Sequence, residues 1–162
     1  MPARIRPYRA VTDESWATSF LEEHLGGRRQ ARRRELIDVL DPGLGLVAGD
    51  GLGLLTYRLD GDALELTALG ARPSGRGTGT ALLAALVSAA RGLGVRRIWV
   101  VTTNDNIDAI AFYQRRGFRL SELRVGAVDE ARRTLKPALP VIGQHRIEMR
   151  DELKLTLLVS PR

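Results

Sequence analysis

Two short segments of the chain carry residue types whose spacing suits chemistry. The first is SGRGTGTALL, residues 74–83. Its glycines let the backbone approach a ligand and turn N–H groups toward it. It runs into a predicted helix, whose free N–H groups and dipole favour an anion. Strand, Gly-rich turn and helix together make an arrangement for a diphosphate. A Walker A loop is excluded because no Lys stands in the segment, and the G-x-G-x-x-G spacing fails from both Gly75 and Gly77. The second segment is NIDAIAFYQRRGF, residues 106–118. It brings an Asn suited to N-capping, a Tyr in mid-helix and a Gly-Phe helix stop. Taken singly, each of these features has an ordinary structural explanation.

What surrounds these segments limits the chemistry. The chain has 162 residues, 44% hydrophobic and 27% charged, as one globular domain has. It contains no cysteine, so disulfides, thiolate metal sites and a Cys nucleophile are excluded. His24 and His145 stand singly, without metal-ligand spacing, and no metal is expected. The N-terminal residues have no apolar core of a signal peptide, and no run is long enough to cross a bilayer. A cytoplasmic protein with no membrane partner is expected. The net charge of +6 comes almost entirely from Arg, since Lys136 and Lys154 are the only lysines. Arg28, Arg29, Arg32, Arg33 and Arg34 form a cluster, read as a solvated helical face or charge beside a cofactor entrance. With no aromatic interleaving, a nucleic-acid partner is not expected.

The elements that must hold the two segments are legible in outline. Residues 5–11 suit a strand, and Thr12 followed by Asp13 and Glu14 opens a helix that Gly26-Gly27 closes. Residues 28–40 read as a second helix. Asp50-Gly51 and Asp60-Gly61 mark two tight turns, so residues 44–48, 52–59 and 63–69 should form an antiparallel meander. A helix over about 80–91 follows, with Leu82, Leu83, Leu86 and Ala90 on one stripe. RIWVVT, residues 97–102, reads as a buried strand parallel to the third meander strand. A helix over 107–116 and strands over 118–125 and 153–159 complete an α+β chain with a mixed sheet. Between the last two strands lies a long connection, residues 126–150, with a helical start at 127–136.

On these residues the chain resembles the GNAT superfamily of N-acetyltransferases. Gly77-Thr78-Gly79 supplies the G-x-G of the family's motif R/Q-x-x-G-x-G/A, and Thr80-Ala81-Leu82-Leu83 continues it. The first position falls on Ser74, and Arg76 is a substitute two residues on. Residues 106–118 fit N-x-x-A-x-x-x-Y-x-x-x-G-F at every fixed position. The resemblance implies one domain over residues 1–162 with the element order strand, two helices, three strands, helix, strand, helix, two strands. It implies that the third meander strand and the 97–102 strand splay to hold acetyl-CoA. Its diphosphate would rest on Arg76, Gly77, Thr78, Gly79, Thr80 and Ala81. Leu69, Ala71, Asn106 and Tyr113 would line the rest of the cofactor site. The reaction implied is acetyl transfer to the amine of a small molecule or protein by direct attack in a ternary complex. Tyr113 would be the acid for the leaving thiolate and Glu65 the base for the amine; Glu65 paired to an Arg is the alternative at that position. A non-catalytic acyl-CoA-binding regulatory module is the alternative function. The 126–150 connection is expected to cap the acceptor side with Arg124, Asp129, His145 and Asp151 near it, or else to be a surface excursion or a homodimer contact.

Overall fold

The computed structural model describes residues 3–160. The chain is of the mixed α/β class, with seven sheet strands, a separate two-stranded hairpin and four α-helices among the described residues. It divides into two compact units. The first gathers the chain up to Arg29, Asp38–Ile98 and the end from Val159; the second gathers Gln30–Ile37 and Trp99–Leu158.

The first unit contains β1 (Ile5–Pro7), α1 (Ala10–His24), β4 (Gly45–Ala48), β5 (Gly53–Asp60), β6 (Ala63–Ala71) and α2 (Thr78–Gly92). The strands run β1-β4-β5-β6, each pair antiparallel. Both expected turns form, with Gly51 and Gly61 at φ 82° and 60°, angles that glycine reaches without a Cβ clash; Asp60 itself pairs with Ala63, so the second turn is Gly61-Asp62. A bulge between Thr56 and Tyr57 shifts the β5–β6 register. The unit's buried residues include Leu54, Leu64 and Leu66 of the strands, Ala17, Phe20 and Leu21 of α1 and Leu82, Leu83, Leu86 and Ala90 of α2. That α2 stripe is the one read from the sequence. The first helix starts earlier than expected. Arg9, not Thr12, is the N-cap, and Asp13 reaches back to accept the Arg9 N–H at 2.8 Å. Asp13 also takes a two-pronged bond from Arg6 at 2.8 Å, which holds its carboxyl down at about 2.

The second unit contains β7 (Arg97–Thr103, from Trp99 onward), α3 (Ile107–Arg115), β8 (Arg119–Arg124), α4 (Ala127–Thr134) and β9 (Glu152–Leu158). Its strand order is β7-β9-β8, with β8 and β9 antiparallel. Here one expectation is overturned. Residues 28–40 are not a helix; they form the hairpin β2 (Arg29–Arg32) and β3 (Glu35–Asp38). Its two-residue turn is Arg33-Arg34, at φ 50° and 65°. Neither residue announces such a turn, since Asn or Gly normally supplies it. Tertiary partners hold it instead. The Arg33 N–H donates to both carboxylate oxygens of Glu152, and its guanidinium bonds Glu122 at 3.1 Å. Arg34 pairs with Glu130 and Arg32 with Glu35. In the first unit Arg28 is shared between Asp38 and Glu14. The arginine cluster is therefore largely neutralised by carboxylates, which weakens it as a surface for polyanions.

The 125–151 connection contains α4 and is tied to itself. Arg132 donates to the carbonyls of Leu139, Pro140 and Met149 and to Asp129. Among the described residues no helix is long and apolar enough to cross a membrane.

Candidate active site

In the first unit the Gly-rich turn follows β6 directly. Gly75 and Gly77 take φ 78° and 79°, and a Cβ at either would meet nothing within 4 Å. It is the left-handed angle, not crowding, that calls for glycine there. Gly77 is the N-cap of α2 and offers no side chain to its first turn. No acidic residue lies in that turn. The N-terminus of α2 thus begins without a side-chain cap, with the positive end of the helix dipole at its first turn. Gly77, Thr78, Gly79, Thr80 and Ala81 come together there as expected, with exposed Arg76 just before them.

Two glycines that motif reading missed set the height of this turn. A Cβ on Gly53 would lie 2.9 Å from Leu82 Cδ1, 3.0 Å from the Gly70 carbonyl and 3.1 Å from Thr78 Cγ2. Bare Gly53 lets the first turn of α2 settle onto the sheet beside Ala71, its cross-strand partner. A Cβ on Gly70 would come within 3.0 Å of Phe20 and Leu25. The end of β6, Leu69 to Ala71, is therefore covered by α1 on one face and approached by α2 on the other. Glu65 lies further back on β6 and is 1% exposed. It accepts from Arg58 Nε at 2.6 Å, directly across on β5. The ion-paired alternative for Glu65 is what the fold contains.

In the second unit Asn106 caps α3: its side chain accepts from the Ala109 N–H at 3.3 Å and donates to Thr102 Oγ1 at 3.1 Å. Tyr113 lies about two turns on. The residue is 6% exposed, its ring edge-on to Phe112 at 5.3 Å and tilted against Phe118 at 5.2 Å. Burial pushes the phenol well above its ordinary range, so it stays protonated throughout the neutral range. The turn at Gly117, φ 93°, brings Phe118 back so that its N–H bonds the Tyr113 carbonyl.

Two further residues escaped the sequence reading. Asn104 accepts the N–H groups of Arg150 and Asp151 and donates to the Glu148 carbonyl. Buried Asp105 accepts the Thr103 hydroxyl and the Gln144 N–H. With Asn106 they make a polar tripeptide, which is the one signal that the sequence offered. It ties the long connection to the start of α3. Of the residues expected near that connection, Asp151 accepts the Gly126 N–H, His145 faces Asp108 at 3.3 Å, Asp129 pairs with Arg132, and Arg124 lies 3.9 Å from Glu122.

A capless, glycine-framed helix start and an N-capped helix with a buried tyrosine are two separate pieces of one known pattern. Residues 9–118 match the model of the acetyltransferase (GNAT) family. The chain belongs to this family. The acetyltransferase is 39% identical over 142 residues to YxbD of Bacillus subtilis (strain 168), covering 85% of this chain and 88% of that one. Its fold is similar to that of the IAA acetyltransferase from Bacillus cereus ATCC 14579, at TM-score 0.75, 21% identity and coverage of 96% and 99%. It is also similar to a GNAT acetyltransferase from Elizabethkingia anophelis with acetyl-CoA bound, at TM-score 0.73, 20% identity and coverage of 97% and 98%.

Proposed function

We propose that this acetyltransferase, acting as one domain, moves an acetyl group from acetyl-CoA to an amine by direct attack in a ternary complex. The observation that carries the reading is the start of α2, where two left-handed glycines present uncapped N–H groups to an anion. Gly77, Thr78, Gly79, Thr80 and Ala81 would hold the diphosphate, with Arg76 adding positive charge. Leu69, Ala71 and Asn106 would line the pantetheine arm. Acetyl-CoA supplies the activated acetyl thioester.

The chain's own residues then have three tasks. A backbone N–H near Leu69 stabilises the negative charge on the thioester oxygen. Tyr113 donates its proton to the departing thiolate and is reprotonated from water. No protein group among the described residues hydrogen-bonds the Tyr113 hydroxyl, which leaves it for a ligand. Glu65 receives the amine's proton, directly or through water. Glu65 is held in its ion pair with Arg58, so its share of the rate is the smaller one. The absence of cysteine agrees with direct attack. Thiol release from acetyl-CoA, followed with and without a panel of amines, tests the reading. Amine-dependent release with acetylated product supports it, and acetyl-CoA binding with no transfer to any amine contradicts it.

A further inference from the structure

In the first unit Arg6 is neutralised by Asp13, Arg28 by Asp38 and Glu14, and Arg58 by Glu65. Arg72, the residue that follows β6, is held by neutral partners instead. Its backbone N–H bonds the Leu52 carbonyl at 2.8 Å. Its guanidinium donates through Nε to Nδ1 of His24 at 3.2 Å and through Nη1 to the Ala71 carbonyl at 2.8 Å. Glu23 lies 3.5 Å from the other ring nitrogen of His24. Among the described residues no salt bridge joins Arg72 itself to a carboxylate. A guanidinium carries five N–H donors in a rigid fork. Two are used here, which leaves three on an exposed side chain.

Contacts within the unit relate this fork to the proposed chemistry. Phe20 and Leu25, which flank His24 on α1, both come within 3.0 Å of a Cβ built on Gly70. The His24 ring meets that of Phe20 edge-on, with centroids 4.9 Å apart. So the end of α1 that braces Arg72 is the part that rests on Gly70, the neighbour of Leu69. The N–H near Leu69 is the group assigned above to the thioester oxygen. The diphosphate is assigned to the start of α2, which approaches β6 from the other face, at Gly53 and Ala71. Arg72 and His24, its side chain 27% exposed, form a rim on the α1 face. A guanidinium oriented in advance and without a counter-ion suits a carboxylate. Its fork can meet both oxygens, and the side chain loses little further freedom on binding.

We propose that Arg72 is a specificity-determining residue that binds a carboxylate of the acceptor. The inference rests on the acetyltransfer reading and narrows it to amines that also carry a carboxylate. The Ala71 carbonyl that holds the guanidinium is two residues past Leu69, roughly 7 Å along a strand. Amine and carboxylate should be separated by about that span. A cofactor phosphate shares the chemistry, and the test separates the two.

The test compares 5-aminopentanoate with 5-aminopentanamide, which has the same chain and no negative charge. With saturating acetyl-CoA, wild type is expected to show kcat/KM about fivefold higher or more for the carboxylate, a preference that shrinks at high salt. Arg72→Gln keeps an N–H donor for His24 and removes the charge. It is expected to bring the ratio within about twofold of one, through KM for the carboxylate, and to leave the acetyl-CoA KM and the melting temperature unchanged. No carboxylate preference in wild type, or a preference that survives Arg72→Gln, would overturn the proposal. So would an effect of Arg72→Gln confined to the acetyl-CoA KM and absent with S-acetylpantetheine, which would give Arg72 to a cofactor phosphate. If neither compound is acetylated and other amines are, the proposal fails alone. If no amine is acetylated, the acetyltransfer reading fails. Calorimetric titration of 5-aminopentanoate into the protein then decides the site: binding that Arg72→Gln weakens about fivefold supports it, and absent or unchanged binding contradicts it.

Discussion

The candidate site residues of the two units are of different material. The first uses backbone. At the start of α2 the groups proposed to meet the ligand are N–H, and the side chains that matter are the ones missing at Gly53, Gly70, Gly75 and Gly77. The second uses side chains. Asn106 caps, Tyr113 waits between two rings, and Asn104 and Asp105 bind the long connection. The turns follow the same division. The first unit turns its meander at Gly51 and Gly61, whereas the second turns on Arg33-Arg34 and on His145-Arg146, all four left-handed without being glycine. Backbone sites ask only for the right φ and open space. Side-chain sites ask for partners, and partners come from distant parts of the chain.

If this contrast is right, substitutions in the two units should separate binding from turnover. The largest effect is expected in the second unit. Tyr113→Phe keeps the ring packing against Phe112 and Phe118 and removes the hydroxyl proposed as the proton donor. It should lower kcat by about 100-fold or more and leave the KM for acetyl-CoA within a small factor. Gly77→Ala in the first unit should do the converse. A Cβ at φ 79° costs about 1–2 kcal/mol, and tilting the first turn of α2 should raise the KM for acetyl-CoA about tenfold, with kcat much less affected. Steady-state kinetics on both variants reads the split.

The next effect is on stability and belongs to the first unit alone. Asp13 titrates at about 2 in the fold against an ordinary 3.8, because Arg6 and the Arg9 N–H favour its ionised form. A lowered carboxyl stabilises the fold above its ordinary value and loses that contribution as pH falls through the folded one. The loss should run from about pH 4 to about pH 2. Allowing for the partly exposed Arg6, it amounts to on the order of 1–2 kcal/mol. Asp13→Asn should remove this pH dependence in thermal melts and leave turnover at neutral pH unchanged. The smallest effect is Arg34→Gly. It relieves a left-handed residue whose ion pair with Glu130 is exposed, and about 0.5 kcal/mol of stabilisation is expected from chemical denaturation.

The same division explains what could be read in advance. Periodicity and glycine chemistry are local, so the meander, both its turns, the α2 stripe and the α3 cap stood in the sequence almost residue for residue. The 28–40 hairpin did not. Its residues favour a helix locally, and what makes them a hairpin is Glu152, more than a hundred positions away, accepting the Arg33 N–H. Glu65 could be placed on its strand but not given its partner, because Arg58 sits opposite only after a bulge has set the register. Gly53 and Gly70 carried no signal, since close approach by Leu82, Phe20 or Leu25 is a fact of packing.

The central claim is that the start of α2 holds acetyl-CoA and that Tyr113 is the acid of the proposed transfer. The most direct measurement is single-turnover thiol release with enzyme in excess, comparing wild type with Tyr113→Phe at matched acetyl-CoA occupancy and with an accepted amine present. The account predicts full occupancy and a release rate lower by about 100-fold in the variant. Equal release rates at equal occupancy would contradict it.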